Sequence, residues 1–136
     1  MADIVFSSEL AGVDWPALRQ ALMADDFHNG RSPDQYRRSH ENSHAVVFGR
    51  HEGQFVANGR ILSDGVCNAY LVDIWTATSH RRKGVGREVV TRLLATVPGQ
   101  HVGLFTDEAA LFYQSLGFRP QAGGMSTVVG SWLEGG

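Results

Sequence analysis

AYLVDIWTATSHRRKGVGREVVTRLLAT, residues 69–96, carries an apolar stretch of strand character (Ala69 to Ala77) through a short polar turn into Arg81-Arg82-Lys83-Gly84-Val85-Gly86. A periodic helix follows. Val85, Val89, Val90, Leu93, Leu94 and Val97 recur at i, i+4, i+5, i+8, i+9 and i+12, which writes one apolar face. Strand, basic glycine-rich turn and helix N-terminus, in that order, suit the binding of phosphate. Glycine lets backbone approach an anion, the unpaired N–H groups of the first helical turn point at it, and the helix dipole adds partial positive charge. Four of the twelve Lys and Arg residues (Arg81, Arg82, Lys83, Arg87) fall within seven positions, in a chain of net charge −2. The cluster is local, and its triplet before the glycines favours a ligand with several phosphates.

Upstream, Ile4-Val5-Phe6 predicts a short strand, and Asp14-Trp15-Pro16 starts a helix that continues through Leu18, Ala21 and Leu22. Asp25 to Arg31 reads as a polar loop. Ser32-Pro33-Asp34-Gln35 announces a second helix through a capping box. Ala45 to Phe48 and Gln54 to Leu62, separated by His51-Glu52-Gly53, predict a hairpin, and Ser63-Asp64-Gly65 turns the chain into the strand at 69–77. Downstream, Pro98-Gly99 ends the long helix and Val102 to Phe105 predicts a strand. Asp107 is expected to cap a helix through Tyr113 to Leu116, closed by Gly117, and Met125 to Leu133 to form a final strand. This order predicts an α/β fold with a mixed sheet, in one domain spanning residues 1–136.

Several other chemistries are excluded or disfavoured. A dinucleotide fingerprint lacks its third glycine, since position 89 is Val, and no Gly-x-x-x-x-Gly-Lys-Ser/Thr loop occurs. His40-Glu41-Asn42-Ser43-His44 spells the zinc-protease signature, but it falls where a short helix gives way to a strand, so no metal is expected. His28, His80 and His101 read as surface or turn residues. Cys67, the single cysteine, reads as an inert packed thiol and excludes an intrachain disulfide, which fits a reducing compartment. A pI near 6.3 argues against a nucleic-acid binder. No apolar run approaches the roughly 18 residues of a membrane span, and MADIVFSSEL has no signal pattern, so a soluble cytoplasmic protein is expected.

A second motif, Ala109-Ala110-Leu111-Phe112-Tyr113 followed by Gly117-Phe118, reads by pattern alone as an amphipathic helix with core aromatics. Together with the basic turn, it resembles the GNAT superfamily of acyl-CoA N-acyltransferases. The family's Arg/Gln-x-x-Gly-x-Gly/Ala loop is met by Arg81, Gly84 and Gly86. Its Ala-x-x-Phe-Tyr-x-x-x-Gly-Phe helix is met by Ala109, Phe112, Tyr113, Gly117 and Phe118. Arg60 to Ala69, leading into Val72-Asp73-Ile74, looks most like plant and cyanobacterial serotonin-type N-acetyltransferases and their small bacterial relatives. Where the family often has Asn before its last helix, this chain reads Thr106-Asp107-Glu108.

The resemblance implies a GNAT-like mixed central sheet with splayed middle strands, flanked by helices. It implies acetyl-CoA as cosubstrate, its pantetheine arm along Trp75, Thr76 and Ala77 and its pyrophosphate at Arg82, Lys83, Gly84, Val85, Gly86 and Arg87, with Arg81 adding charge and Phe112 at the cofactor. The implied reaction is acetyl transfer to a primary amine (a small amine, an arylalkylamine, an amino acid or a lysine). Tyr113 would act as proton donor to the leaving thiolate. Asp73 has two readings that stand side by side: general base, or a strand carboxylate paired with arginine or lining the substrate entry. Tyr70, Trp75, Phe27 and Tyr36 are candidates for an aromatic acceptor pocket. A non-catalytic acyl-CoA-binding module is the alternative function, and pairing of two copies through Met125 to Leu133 is a further expectation.

Overall fold

A computed structural model describes residues 3–135, which fall in two compact units divided between Leu104 and Phe105. The first unit holds β1 (Ile4–Ser7), α1 (Trp15–Ala24), α2 (Pro33–Glu41), β2 (Ala45–His51), β3 (Gln54–Ser63), β4 (Asn68–Thr76), a single 3-10 turn (Thr78–His80), α3 (Val85–Leu94) and β5 (His101–Gly103). The sheet order is β1-β2-β3-β4-β5, antiparallel throughout except that β5 runs parallel to β4. A five-strand mixed sheet flanked by helices is the α/β architecture that the sequence predicts.

Local chemistry explains the elements. Asp14 accepts from the Ala17 N–H at the start of α1, and the Ser32–Gln35 capping box closes both ways on α2. The apolar face of α3 buries Val85, Val89, Val90 and Leu93, and Val97 beyond it, against β2, β3 and β4. A second core joins Leu18 and Leu22 of α1 and Tyr36 of α2 to Val46, Phe48, Phe55 and Trp75 of the sheet. Consecutive residues of β3 separate the two layers. Asn58 meets α2 through His40, whereas a Cβ on Gly59 would meet α3. Neighbouring strand residues point to opposite faces, so α2 and α3 cover opposite sides of the sheet.

β4 is bent. Arg60 pairs with Val72 and Asn58 with Trp75, so Asp73 and Ile74 together stand opposite Gly59 alone. This is a β-bulge, and Asp73 takes φ +58° within it. Pairing of β4 with β5 covers only Asn68, Ala69 and Tyr70. From Leu71 to Thr76 the β4 edge that faced β5 has no strand partner among the described residues, and this is the expected splay.

The second unit holds α4 (Ala110–Ser115). Three expectations change. Ala109, not Asp107, occupies the N-cap of α4, and the Ala109 N–H is met by the Thr106 hydroxyl. The strand expected at Val102 to Phe105 is β5, one residue earlier and only three long. Met125 to Leu133 forms no strand: the stretch is turns and bends with Gly130 and Leu133 at positive φ, and Met125, Val128, Val129 and Trp132 are exposed. Positive φ breaks an extended backbone, so Gly130 and Leu133 do not continue a strand.

Gly59 is required by contact. A Cβ there would lie 2.7 Å from Val89 Cγ1 and 2.8 Å from Ile74 Cδ1. Gly59→Ala should lower stability by about 1–3 kcal/mol, the cost of overpacking a filled core, read as a shift in the denaturant midpoint. An unchanged midpoint would contradict the close approach of α3 to the bulge.

Candidate functional site

The open edge of β4 leads straight into the basic turn. After Thr76 the chain makes the short turn Thr78–His80, passes Arg81 and Arg82 (the latter at φ +63°) and reaches Gly84 at φ +82°, the N-cap of α3. Glycine is suited to that left-handed geometry. No side chain caps α3, and the first helical N–H to find a backbone acceptor is that of Glu88, bonded to the Gly84 carbonyl. The N–H groups of Val85, Gly86 and Arg87 are the orphan donors of the first turn. Arg82, Lys83 and Arg87 are exposed around them. The residues fit an anion.

Asp25, at the C-cap of α1, fixes where this turn begins. One of its oxygens accepts from the Trp75 indole N–H at 2.8 Å, both approach the Thr78 N–H, and Arg81 lies 3.8 Å away. Burial would raise the Asp25 carboxyl, but these donors outweigh it and hold it below the usual carboxylate range. The Arg81 Nε also donates to the Thr76 carbonyl. The sequence reading placed Asp25 in a polar loop and missed this role, because its partners lie about fifty residues away.

On the α2 side of the bulge, Asp73 Oδ2 accepts from Arg60 Nε at 2.6 Å and Arg31 Nη2 at 2.8 Å, with all three side chains largely buried. Arg31 also donates to Asn29 Oδ1 and Ser39 Oγ, and its guanidinium lies over the Tyr36 ring. Burial would raise the Asp73 carboxyl; the charges of Arg60 and Arg31 reverse the sign and hold it below the usual range. Both guanidiniums use Oδ2, so Oδ1 has no donor among the described residues. The arginine-paired reading of Asp73 is thus realised, with one oxygen left over.

That carboxylate opens on a cavity of about 250 Å³ lined by Leu22, Asp26, Phe27, His28, Asn29, Arg31, Asn58 and Asp73. Of the four aromatics expected to build a pocket, Phe27 alone lines it. Tyr36 and Trp75 are buried in the core, and Tyr70 sits where β4 pairs with Gly103. Asp26, at φ +57°, has no side-chain partner among the described residues. Arg31, Arg60 and Asn58 were not singled out by sequence; only a fold that brings positions 31, 60 and 73 together reveals them.

In the second unit, the Tyr113 ring packs edge-on against Phe112 (4.9 Å) and Phe118 (5.7 Å). Burial raises the Tyr113 phenol, which keeps it protonated. Cys67 departs from expectation: it is exposed, in the turn that Asp64 organises by accepting from the N–H groups of Val66, Cys67 and Asn68. The neighbouring Asp64 carboxylate raises its thiol, which disfavours the thiolate. His40 and His44 do not share a helical face, because α2 ends at Glu41; His44 meets the Thr96 carbonyl instead.

The sequence model of the Acetyltransferase (GNAT) family matches residues 10–118. The chain belongs to that family. It is 31% identical over 115 residues to serotonin N-acetyltransferase 2, chloroplastic, of Oryza sativa subsp. japonica, a match covering 79% of this chain and 57% of that protein's length. Among solved structures it resembles a Deinococcus radiodurans R1 protein assigned provisionally as an acetyltransferase (27% identity, TM-score 0.80, 93% of this chain and 89% of that one). It also shares its fold with glucosamine-6-phosphate N-acetyltransferase from Arabidopsis thaliana (17% identity, TM-score 0.69, 92% and 97% covered). No helix among the described residues is long and apolar enough to cross a membrane.

Asp73→Asn should cost about 3–5 kcal/mol, since it leaves Arg31 and Arg60 buried without their counter-charge. Because the folded carboxyl lies below its unfolded value of about 3.9, its contribution is complete above that pH and fades as pH falls further. Wild-type stability should therefore drop more steeply below about pH 4 than that of Asp73→Asn. Denaturant midpoints across pH check this; parallel curves would contradict it.

Proposed function

We propose that this protein is an N-acetyltransferase that moves an acetyl group from acetyl-CoA to a primary amine, with an arylalkylamine as the favoured acceptor. The observation that carries the reading is the β4 edge, without a strand partner from Leu71 to Thr76 among the described residues, leading through a short turn into a glycine-fronted helix mouth with no side-chain cap, ringed by arginine and lysine. Backbone groups of Trp75 and Thr76 would take the pantetheine amides; Ala77, also expected there, spends its N–H on the Val56 carbonyl and its carbonyl on the His80 N–H. The N–H groups of Val85, Gly86 and Arg87 would take the pyrophosphate, with charge from Arg81, Arg82, Lys83 and Arg87 and a contact from Phe112. The cavity beside Asp73 supports an amine acceptor, for an acidic residue, Asp26, and an aromatic one, Phe27, both line it. The serotonin N-acetyltransferase similarity favours the same substrate class. A reducing, cytoplasmic setting belongs to this proposal, supported by the exposed free thiol of Cys67.

The chemistry has an energetic hurdle. An alkylamine of pKa ~10.4 is neutral in about one molecule in 2,500 at pH 7, a handicap of roughly 4.6 kcal/mol. Asp73, through Oδ1, would receive an N–H of the incoming amine and pass its proton to water; its lowered pKa makes it a poor final holder of that proton. The backbone N–H of Thr76 would polarise the thioester oxygen, since that of Ala77 is bonded to the Val56 carbonyl. Tyr113, held protonated, would supply the proton to the departing thiolate.

Calorimetric titration with acetyl-CoA, paired with an acetylation assay over an amine panel, tests the reading. Binding with turnover on aryl-substituted primary amines is expected. Binding without turnover on any amine would leave a non-catalytic acyl-CoA-binding module instead. Tyr113→Phe should lower kcat by about 100-fold or more at unchanged acetyl-CoA affinity, and unchanged turnover would reject its role.

A further inference from the structure

Asn58 is 1% exposed and His40 is fully buried, yet Asn58 also lines the acceptor cavity. His40 Nδ1 lies 2.7 Å from the Tyr36 carbonyl, which can only accept, so Nδ1 carries a proton. The structure places Asn58 Oδ1 3.1 Å from Nε2, a second acceptor. A neutral imidazole has one N–H and cannot satisfy two acceptors. Either the ring is an imidazolium or the Asn58 amide is turned end for end, with its NH2 donating to Nε2.

The surroundings decide between these. His40 stacks on Phe48 (centroids 5.6 Å, planes 16° apart) and packs against Trp15 at 5.2 Å. Burial there, with the nearby Arg60 charge, lowers the imidazole's affinity for a proton; the Tyr36 and Asn58 contacts and Asp73 oppose this without reversing it. His40 is therefore neutral, and the turned amide satisfies both ring nitrogens. The other end of Asn58, which has no partner among the described residues, then presents its carbonyl oxygen to the cavity.

We propose that Asn58, oriented by His40, provides a second hydrogen-bond acceptor that works with Asp73 Oδ1 to hold two N–H groups of one nitrogen, selecting primary amines over alcohols and N-alkylated amines. This rests on the acetyltransferase reading and names the substrate feature that the site recognises. Asn58 binds the acceptor. His40 touches no substrate; it is a positioning residue that sets which end of the amide the acceptor meets. The tautomer of His40 follows from its position on α2, four residues after Tyr36, and the reach to Asn58 follows from its place on β3 beneath that helix.

Two measurements test this. In 15N-labelled wild-type protein at neutral pH, His40 Nε2 should resonate as an unprotonated nitrogen, with a nuclear Overhauser contact to the Asn58 side-chain NH2. A protonated Nε2 would overturn the assignment whatever the enzyme acylates. Titration with phenethylamine should shift the Asn58 amide signals more than titration with 2-phenylethanol; equal or absent shifts would also overturn it. In kinetics, Asn58→Leu should raise the phenethylamine KM about three- to tenfold, the loss of one hydrogen bond, and should narrow the preference over N-methylphenethylamine. The acetyl-CoA KM should not move. An unchanged amine KM in a folded Asn58→Leu protein, or in Asn58→Ala should the leucine variant not fold, would sink the role. Absence of turnover in the wild type, with the resonance signature intact, would reject the enzyme reading and leave the Asn58 orientation standing.

Discussion

The contact of Arg31 and Arg60 with one oxygen of Asp73 holds β4 in a bend that a regular strand would not keep. A non-glycine residue at positive φ costs free energy, of order 1–3 kcal/mol, and persists only where its surroundings over-determine it. Here they do so from both faces. On one, two guanidiniums grip the Asp73 carboxylate. On the other, α3 seats against Gly59, the single residue opposite the two-residue bulge, where no larger side chain fits. The bulge increases local twist, and β4 leaves β5 after three residue pairs.

The bend has two consequences for chemistry. It leaves the β4 edge toward β5 without a strand partner from Leu71 to Thr76 among the described residues, and it points Asp73 into the cavity beneath the α1–α2 connection. Asp25 then ties the end of β4 to the end of α1, so the basic turn and the helix mouth start from a fixed point. The open β4 edge and the cavity are therefore two sides of one distorted strand. Asp73 Oδ2 is spent on the fold, and Oδ1 has no donor among the described residues.

Much of this was legible in the sequence where the signal is local. The capping box at Ser32–Gln35, the glycine turn at the head of α3 and the apolar face of that helix all read directly, because each depends on residues within a few positions of one another. The α4 motif was legible too, although Ala109 and not Asp107 stands at its N-cap, with its N–H bonded to the Thr106 hydroxyl. What escaped the sequence is non-local. Nothing near position 31 announces a partner at 73, and nothing in Gln54 to Leu62 marks Gly59 as the seat of a helix. The stretch Met125 to Leu133 misled in the opposite direction. Its apolar residues suggest a strand, but Gly130 and Leu133 turn the backbone out of the extended region.

The account stands on coenzyme A meeting backbone amides at the unpaired β4 edge and the α3 mouth. Amide hydrogen exchange with and without added CoA measures that most directly. Slowed exchange concentrated at Trp75 and Thr76 and at Val85 to Arg87 is the predicted pattern. Protection confined to other segments, or exchange that CoA leaves unaltered everywhere, would contradict it.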